Sequence, residues 1–409
     1  MINRRVLLAF LLVILPADVI ASSEIEARTG VWSSDRQLND ESPITNLGLA
    51  VRTRGLIGTQ SNYRLDIFGG SEISTKESRN FTLIREATVG IDTDRVEWTL
   101  GWQQHAWGRG DRVNPTDLLS PRDVRRLTPI DEETRFALPG VTADTHISSN
   151  LRLIALVQHF QPSRWYSESS EQQFNRVLRS QNEEWALKLD RTGSDVDWSL
   201  SYFSGMEKGR NLVLSGCTTA AQTPTPIREH AAVRSYGADF ASNFATYGFR
   251  GEIARVESVD HSPILCGGRS SYTAAVIGID QNTQNEATLG IQLFTRHYDE
   301  DVAGHPLGPP TLIALLDVMQ ASNYQQSRNL SGITLRYAQD IPNSNLEWET
   351  TIVSHLRIGD VSVKPLMNYH VGDMSLLKIG SEIYRGSRLS PFGLLRQNSL
   401  FFIEYVRFL

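Results

Sequence analysis

Eleven ionisable side chains crowd one stretch of the chain: Arg109, Asp111, Arg112, Asp117, Arg122, Asp123, Arg125, Arg126, Asp131, Glu132 and Glu133. Opposite charges at this density, held in a wet and confined place, create a field that orients a dipolar or anionic solute. On an open surface the same residues would only pair with one another, and exposed pairs contribute about 0–1 kcal/mol. The segment is rich in turn formers (Gly108, Gly110, Asn114-Pro115, Pro121, Pro129). It therefore reads as a long connection, 108–137, with a short helical turn capped by Asp117 or Ser120 and Pro121 in its first position. The expectation is a charged constriction.

Covalent and redox chemistry leave no comparable mark. There is no Gly-x-Ser-x-Gly elbow, no His-Glu-x-x-His and no phosphate-binding loop. Gly108-x-Gly110 fails as a dinucleotide fingerprint because Val113 stands where the third glycine belongs. The nine histidines are dispersed without metal-ligand spacing. No cofactor, no metal and no enzymatic activity are expected, and a barrel hydrolase with a Ser/His/Asp group drawn from separate strands is the outlying alternative. Basic residues are scattered, so nucleic acid is not an expected partner.

The elements that must hold such a constriction show themselves by a period of two. Val96 to Gln103 and Glu286 to Leu293 alternate apolar residues with charged, tiny or hydroxylated ones. Similar runs lie near 24–34, 44–54, 61–70, 80–92, 95–107, 138–147, 150–161, 182–191 and 195–206. They continue near 229–241, 244–258, 270–280, 286–298, 329–340, 345–357, 359–371, 374–386 and 397–409. One face of each strand meets something greasy and the other meets water, as the strands of a transmembrane barrel do. Short polar turns alternate with long connections, apart from the tight Ile358-Gly359-Asp360 turn. All long loops then fall on one side. The predicted fold is all-β, a single antiparallel transmembrane β-barrel of about eighteen strands, with sixteen as the alternative.

Parity assigns Glu97, His105, Arg250, Glu252, Glu347, Glu349, His355 and Arg357 to the lumen wall, with Glu86, Lys188, Lys378 and Glu382 beside them. On 80–92, Phe81, Leu83, Ala87, Val89 and Ile91 share a lipid-facing parity, yet so does Arg85. An arginine there costs roughly 2–4 kcal/mol. A register-resetting bulge or a covering subunit contact is needed.

Met1-Ile2-Asn3-Arg4-Arg5, the apolar run Val6 to Leu15 and the small-residue end at Ala21 form a signal peptide over 1–21. Sec export of 22–409 follows. Cys217 and Cys266, in consecutive long loops of an exported chain, are expected to form a disulfide.

The chain ends Leu400-Phe401-Phe402-Ile403-Glu404-Tyr405-Val406-Arg407-Phe408-Leu409. This resembles the terminal strand signal of Gram-negative outer-membrane proteins, with Leu409 departing from an aromatic last residue. Trp107-Gly108 followed by Asn114-Pro115-x-Asp117 looks like a segment of some large outer-membrane barrels. The resemblance implies a porin or related channel in the outer membrane. It further implies contact with membrane lipid and lipopolysaccharide, delivery by the barrel-assembly machinery, small polar or amphipathic solutes, and homo-oligomers as an open case. In many porins the third outer loop, here 108–137, folds into the barrel and narrows it. An export or assembly component for a polymer or secretion system shares this architecture and is the alternative function.

Overall fold

The computed structural model describes residues 21–34, 43–75, 78–164, 183–209, 211–216, 224–259, 261–283, 286–300 and 310–409. The expected signal peptide, apart from Ala21, lies outside the described residues. In chain order the strands are β1 (Ala21–Trp32), β2 (Ile44–Ile57), β3 (Ser61–Ser74), β4 (Ser78–Asp92), β5 (Val96–Gln103), β6 (Leu138–Ser148) and β7 (Leu151–His159). There follow β8 (Glu183–Arg191), β9 (Asp197–Met206), β10 (Asn211–Ser215), β11 (Thr225–Glu229), β12 (Ala232–Phe244), β13 (Tyr247–Val259) and β14 (Tyr272–Asn282). The last are β15 (Ala287–Tyr298), β16 (Asn329–Asp340), β17 (Leu346–His355), β18 (Asp360–His370), β19 (Ser375–Arg385) and β20 (Leu400–Phe408).

Eighteen of these form one antiparallel sheet in which each strand pairs with its neighbours in sequence, β9 meeting β12 across the separate β10–β11 hairpin. The sheet closes on itself where β1 pairs with β20, from Glu26↔Phe408 to Trp32↔Phe402. The protein is a closed eighteen-stranded barrel.

Alternation explains why these residues make strands with two different environments. On β5, Trp98, Leu100 and Trp102 are exposed on the barrel's exterior while Gln103 is buried inside. Phe249 and Ile253 on β13 are likewise exposed, and Glu252 between them is 4% exposed. Such an apolar belt around a polar interior is what a membrane-crossing barrel requires. Among the described residues no helix is long and apolar enough to cross a membrane.

Arg85 reaches the interior by a bulge. Asp66 pairs with Glu86 and Ile67 with Ile84, leaving Arg85 as the extra residue of β4. The phase of the strand flips there. Ala87 and Val89 keep their outward position, but Leu83 is 3% exposed and packs inward against Phe136 and Leu138, and Phe81 packs on Phe68. The lipid-facing assignment of Phe81 and Leu83 is therefore wrong for the half of the strand before the bulge.

Packing inside the barrel lies between the wall and the loop 104–137. Trp107, Leu118 and Leu119 dock against Leu156, Ala186, Phe203 and Val233 of the wall. Leu127 sits with Trp32, Ile44, Leu400 and Phe402. With Phe136 against Leu83, three apolar clusters hold the loop within the barrel.

At the loop end of the barrel, α1 (Pro310–Ser322) covers the β10–β11 hairpin through Leu316 and Met319 on Leu214 and Cys266. A short α2 (Pro391–Leu394) is capped by Ser390, whose hydroxyl accepts from Gly393 N at 3.0 Å. Cys266 is disulfide-bonded. Cys217 lies outside the described residues.

Candidate functional site

Strand β5 stops at Gln103, short of the expected 107, because the chain there turns to its loop. Gln104 Nε2 donates to Arg135 O at 2.9 Å, and His105 N donates to Ser120 Oγ at 2.7 Å. The predicted helical turn at Pro121 does not form. Ser120 is engaged by His105, and Asp117 accepts a forked pair from Arg135, at 2.8 Å for Nη1. Arg122 pairs instead with Arg135 in an isolated bridge, and the one helical turn of the loop is a 3-10 turn at Asp131–Thr134.

Five of the eleven predicted loop charges pair with charged residues of the barrel wall. Arg109 donates from Nε to Asp239 of β12 at 2.7 Å and from Nη2 to Asp190 of β8 at 3.1 Å. Asp111 lies 3.8 Å from Arg336 of β16, and Arg112 pairs with Glu349 of β17. Asp131 accepts from Lys364 Nζ of β18 at 2.9 and 3.0 Å. Glu133 accepts from Arg28 of β1 at 2.6 and 2.7 Å and lies 3.7 Å from Arg85 of β4. These contacts run around the circumference.

Of the rest, Asp117, Arg122, Asp123 and Arg125 pair within the loop region, and Arg126 also touches the wall. Asp117 takes Arg135 and, at 3.5 Å, Arg122. Asp123 is gripped by Arg125 Nε at 2.8 Å and Nη2 at 2.7 Å. Arg126 donates to Glu133 O at 3.1 Å and stacks over Phe68 at 4.4 Å. Glu132 is exposed.

The protonation states follow from these surroundings. Burial alone would push the Glu133 and Asp123 carboxyls up, but Arg28 holds the first well below the usual range and Arg125 lowers the second. Burial, with Arg85 close by, brings Arg126 down to about 10. Burial also brings the His105 imidazole down to about 4. His105 is neutral at pH 7.

Below the loop a cavity of about 460 Å³ opens between Arg64, Asp66, Arg85, Glu86, Gln104, Glu132 and Glu133. Its walls come from β3 and β4 on one side and from the loop on the other. Among the described residues no group of three or more His, Cys, Asp or Glu side chains is arranged to hold a metal ion.

The predicted wall residues divide into three kinds. Glu97, Arg250, Glu252, Glu347 and Glu349 sit on strands, with Arg250 paired to Asp280 at 2.5 Å and Glu347 to His370 at 2.7 Å. His355 is buried at the end of β17, bonded to Asp360 at 2.6 Å and stacked on Phe392 at 5.0 Å, so it packs beneath α2. His105 lies past the end of β5, and Arg357 is exposed in the turn 356–359. Parity carried past a strand's last residue misplaces both, because the chain there no longer alternates. Sequence reading missed Arg28, Asp190, Asp239, Arg336 and Lys364. Their inward parity on β1, β8, β12, β16 and β18 was the available signal.

No protein-family model matches the chain, and no curated protein matches it. Solved structures do match. Pseudomonas aeruginosa OccK11 (OpdR) aligns at 14% identity with a TM-score of 0.54, over 95% of this chain and 96% of that one. Acinetobacter baumannii OccAB3 aligns at 11% identity with a TM-score of 0.58, over 96% of this chain and 100% of that one. Acinetobacter baumannii OccAB2 gives 12% identity and 0.57, over 95% and 98%. At these identities the likeness is one of fold, and the fold is the porin-type barrel.

Proposed function

We propose that this chain is an outer-membrane channel for passive passage of small polar or amphipathic solutes, with the loop 108–137 as its constriction. The observation that carries the reading is the ring of wall contacts made by Arg109, Asp111, Arg112, Asp131 and Glu133, on strands from every side of the barrel. A loop on the outer surface has no reason to bond to inward-facing residues. Held there, its charges of both signs lie across the path of any solute and act through a field little screened by bulk water.

The solved structures of the same fold agree with a channel. In this reading the short turns face the periplasm and the long loops the outside, as in bacterial barrels generally. The apolar belt meets lipid, lipopolysaccharide surrounds the loop end, and the barrel-assembly machinery inserts the chain. Solute passage needs no bond making, so the function is transport without catalysis.

Single-channel recording in planar bilayers tests the proposal. The refolded protein is expected to give discrete conductance steps, and replacing Arg109 and Arg112 by Ala to change the step size. Absence of steps, or steps indifferent to those replacements, overturns it.

A further inference from the structure

We infer that residues 108–116 form a carboxylate-binding nest and that Glu252 of β13 is the residue that positions the loop in the lumen. This rests on the reading of the loop as the channel's constriction. Glu252 is 4% exposed, on the inner wall, and an ionised carboxylate offers about four lone-pair sites. The loop fills them. Arg109 N and Gly110 N both donate to Oε1, while Thr116 donates to Oε2 from Oγ1 at 3.0 Å and from N at 3.4 Å. Successive backbone N–H groups wrapped on an anion make a nest, here with the anion belonging to the wall.

The glycines that failed as a dinucleotide fingerprint acquire a reason. Gly108 has φ +101, and a Cβ there would stand 2.7 Å from both carboxylate oxygens of Glu252 and from Thr116 Oγ1. Only glycine lets the backbone approach. Gly237 of β12 makes the matching space, since a Cβ on it would lie 2.8 Å from Thr116 Cγ2.

A second feature points the same way. Asp239 on β12 is the direct cross-strand partner of Glu252, and both are almost fully buried. Like charges directly opposite one another destabilise a sheet. Arg109 resolves the conflict, giving its backbone N–H to Glu252 and its guanidinium to Asp239. The pair of carboxylates is a receptor for one loop residue.

Hydrogen exchange read by mass spectrometry on the peptide spanning 107–117 tests the anchor in the refolded full chain, whether or not it conducts. Glu252→Ala is expected to speed exchange there about tenfold or more, the size of a lost hydrogen bond to a charged group. Peptides of β1 and β20 serve as the folding control. Gly108→Ala, which leaves the carboxylate in place, is expected to do the same, and the double variant to exchange no faster than either single one. Unchanged exchange in Glu252→Ala, or fully additive effects, overturns the inference. Conductance measured on the same variants separates the two claims. Faster exchange with altered conductance supports both, whereas faster exchange with unaltered conductance supports the anchor and overturns the loop as constriction.

Discussion

Replacing Arg28 by Ala should release the far side of the loop. Arg28 gives two hydrogen bonds to Glu133, at 2.6 and 2.7 Å, from a side chain only 3% exposed. Removing one member of a buried ion pair typically costs about 3–5 kcal/mol. Thr128 Oγ1 at 2.6 Å and Arg85 at 3.7 Å still hold the carboxylate, which argues for the lower end, about 3 kcal/mol. At roughly 1.4 kcal/mol per tenfold, the released arrangement becomes roughly a hundredfold more populated. The assay is single-channel recording, where excursions to sub-states should become more frequent by about that factor. Glu133→Gln, which keeps the shape and loses the charge, should have a smaller effect in the same direction.

Acidity supplies the control. Because the folded carboxyl of Glu133 sits well below its usual range, the latch is complete above the unfolded value of about 4.3 and is lost only as pH falls through the lower folded value. Its sub-state frequency should therefore be flat between pH 7 and about 5. A folded Arg28→Ala barrel with wild-type sub-states would refute the latch.

Three further outcomes are expected. His105 is neutral in the docked loop with its imidazole at about 4, so falling pH protonates the undocked form first, near 6.5. Docking should then weaken by about 3 kcal/mol between pH 6.5 and 4 and not above it, seen as faster exchange of residues 105–120 that His105→Gln abolishes. Glu132→Gln removes the exposed carboxylate the loop presents to the cavity, and reversal potentials in a salt gradient should show the cation-to-anion permeability ratio falling about twofold at about 0.1 M salt. Unchanged potentials would show that Glu132 does not face the permeation path. Leu100→Arg, on the exterior, should lower the folding yield into vesicles by an amount near 2–4 kcal/mol, while Thr99→Arg on the adjacent inward position should not.

Both faces of the strands were readable because a period of two survives any loop length. Trp98, Leu100 and Trp102 against Glu97, Thr99 and Gln103 state the barrel's inside and outside without reference to other strands. Arg85 was readable only as a conflict, since a bulge is a property of two strands and β3 had to be placed before β4 could be rephased. The loop's charges were visible, and their partners were not. Arg112 and Glu349 are 237 positions apart, and Arg28 and Glu133 are 105 apart. Only closure of the sheet brings them into reach. The outer cap escaped for a different reason. Five-residue strands such as β10 and β11, one interrupted by Pro226, carry too little alternation to stand out, and α1 is an apolar run that covers a hairpin.

The seam between β1 and β20 carries a kinetic burden. Every other neighbouring pair in the barrel joins segments close in the chain, but Phe401 N donates to Ser33 Oγ across 368 positions, beside the stacked rings of Trp32 and Phe402. Loop-closure entropy for that pairing can be met only when the last strand has emerged. Until then both free edges offer unpaired N–H and C=O groups to any other strand they meet. The interval between synthesis of β1 and arrival of β20 is when this chain is most exposed to misassembly, and the aromatic stack at the seam marks where that interval ends.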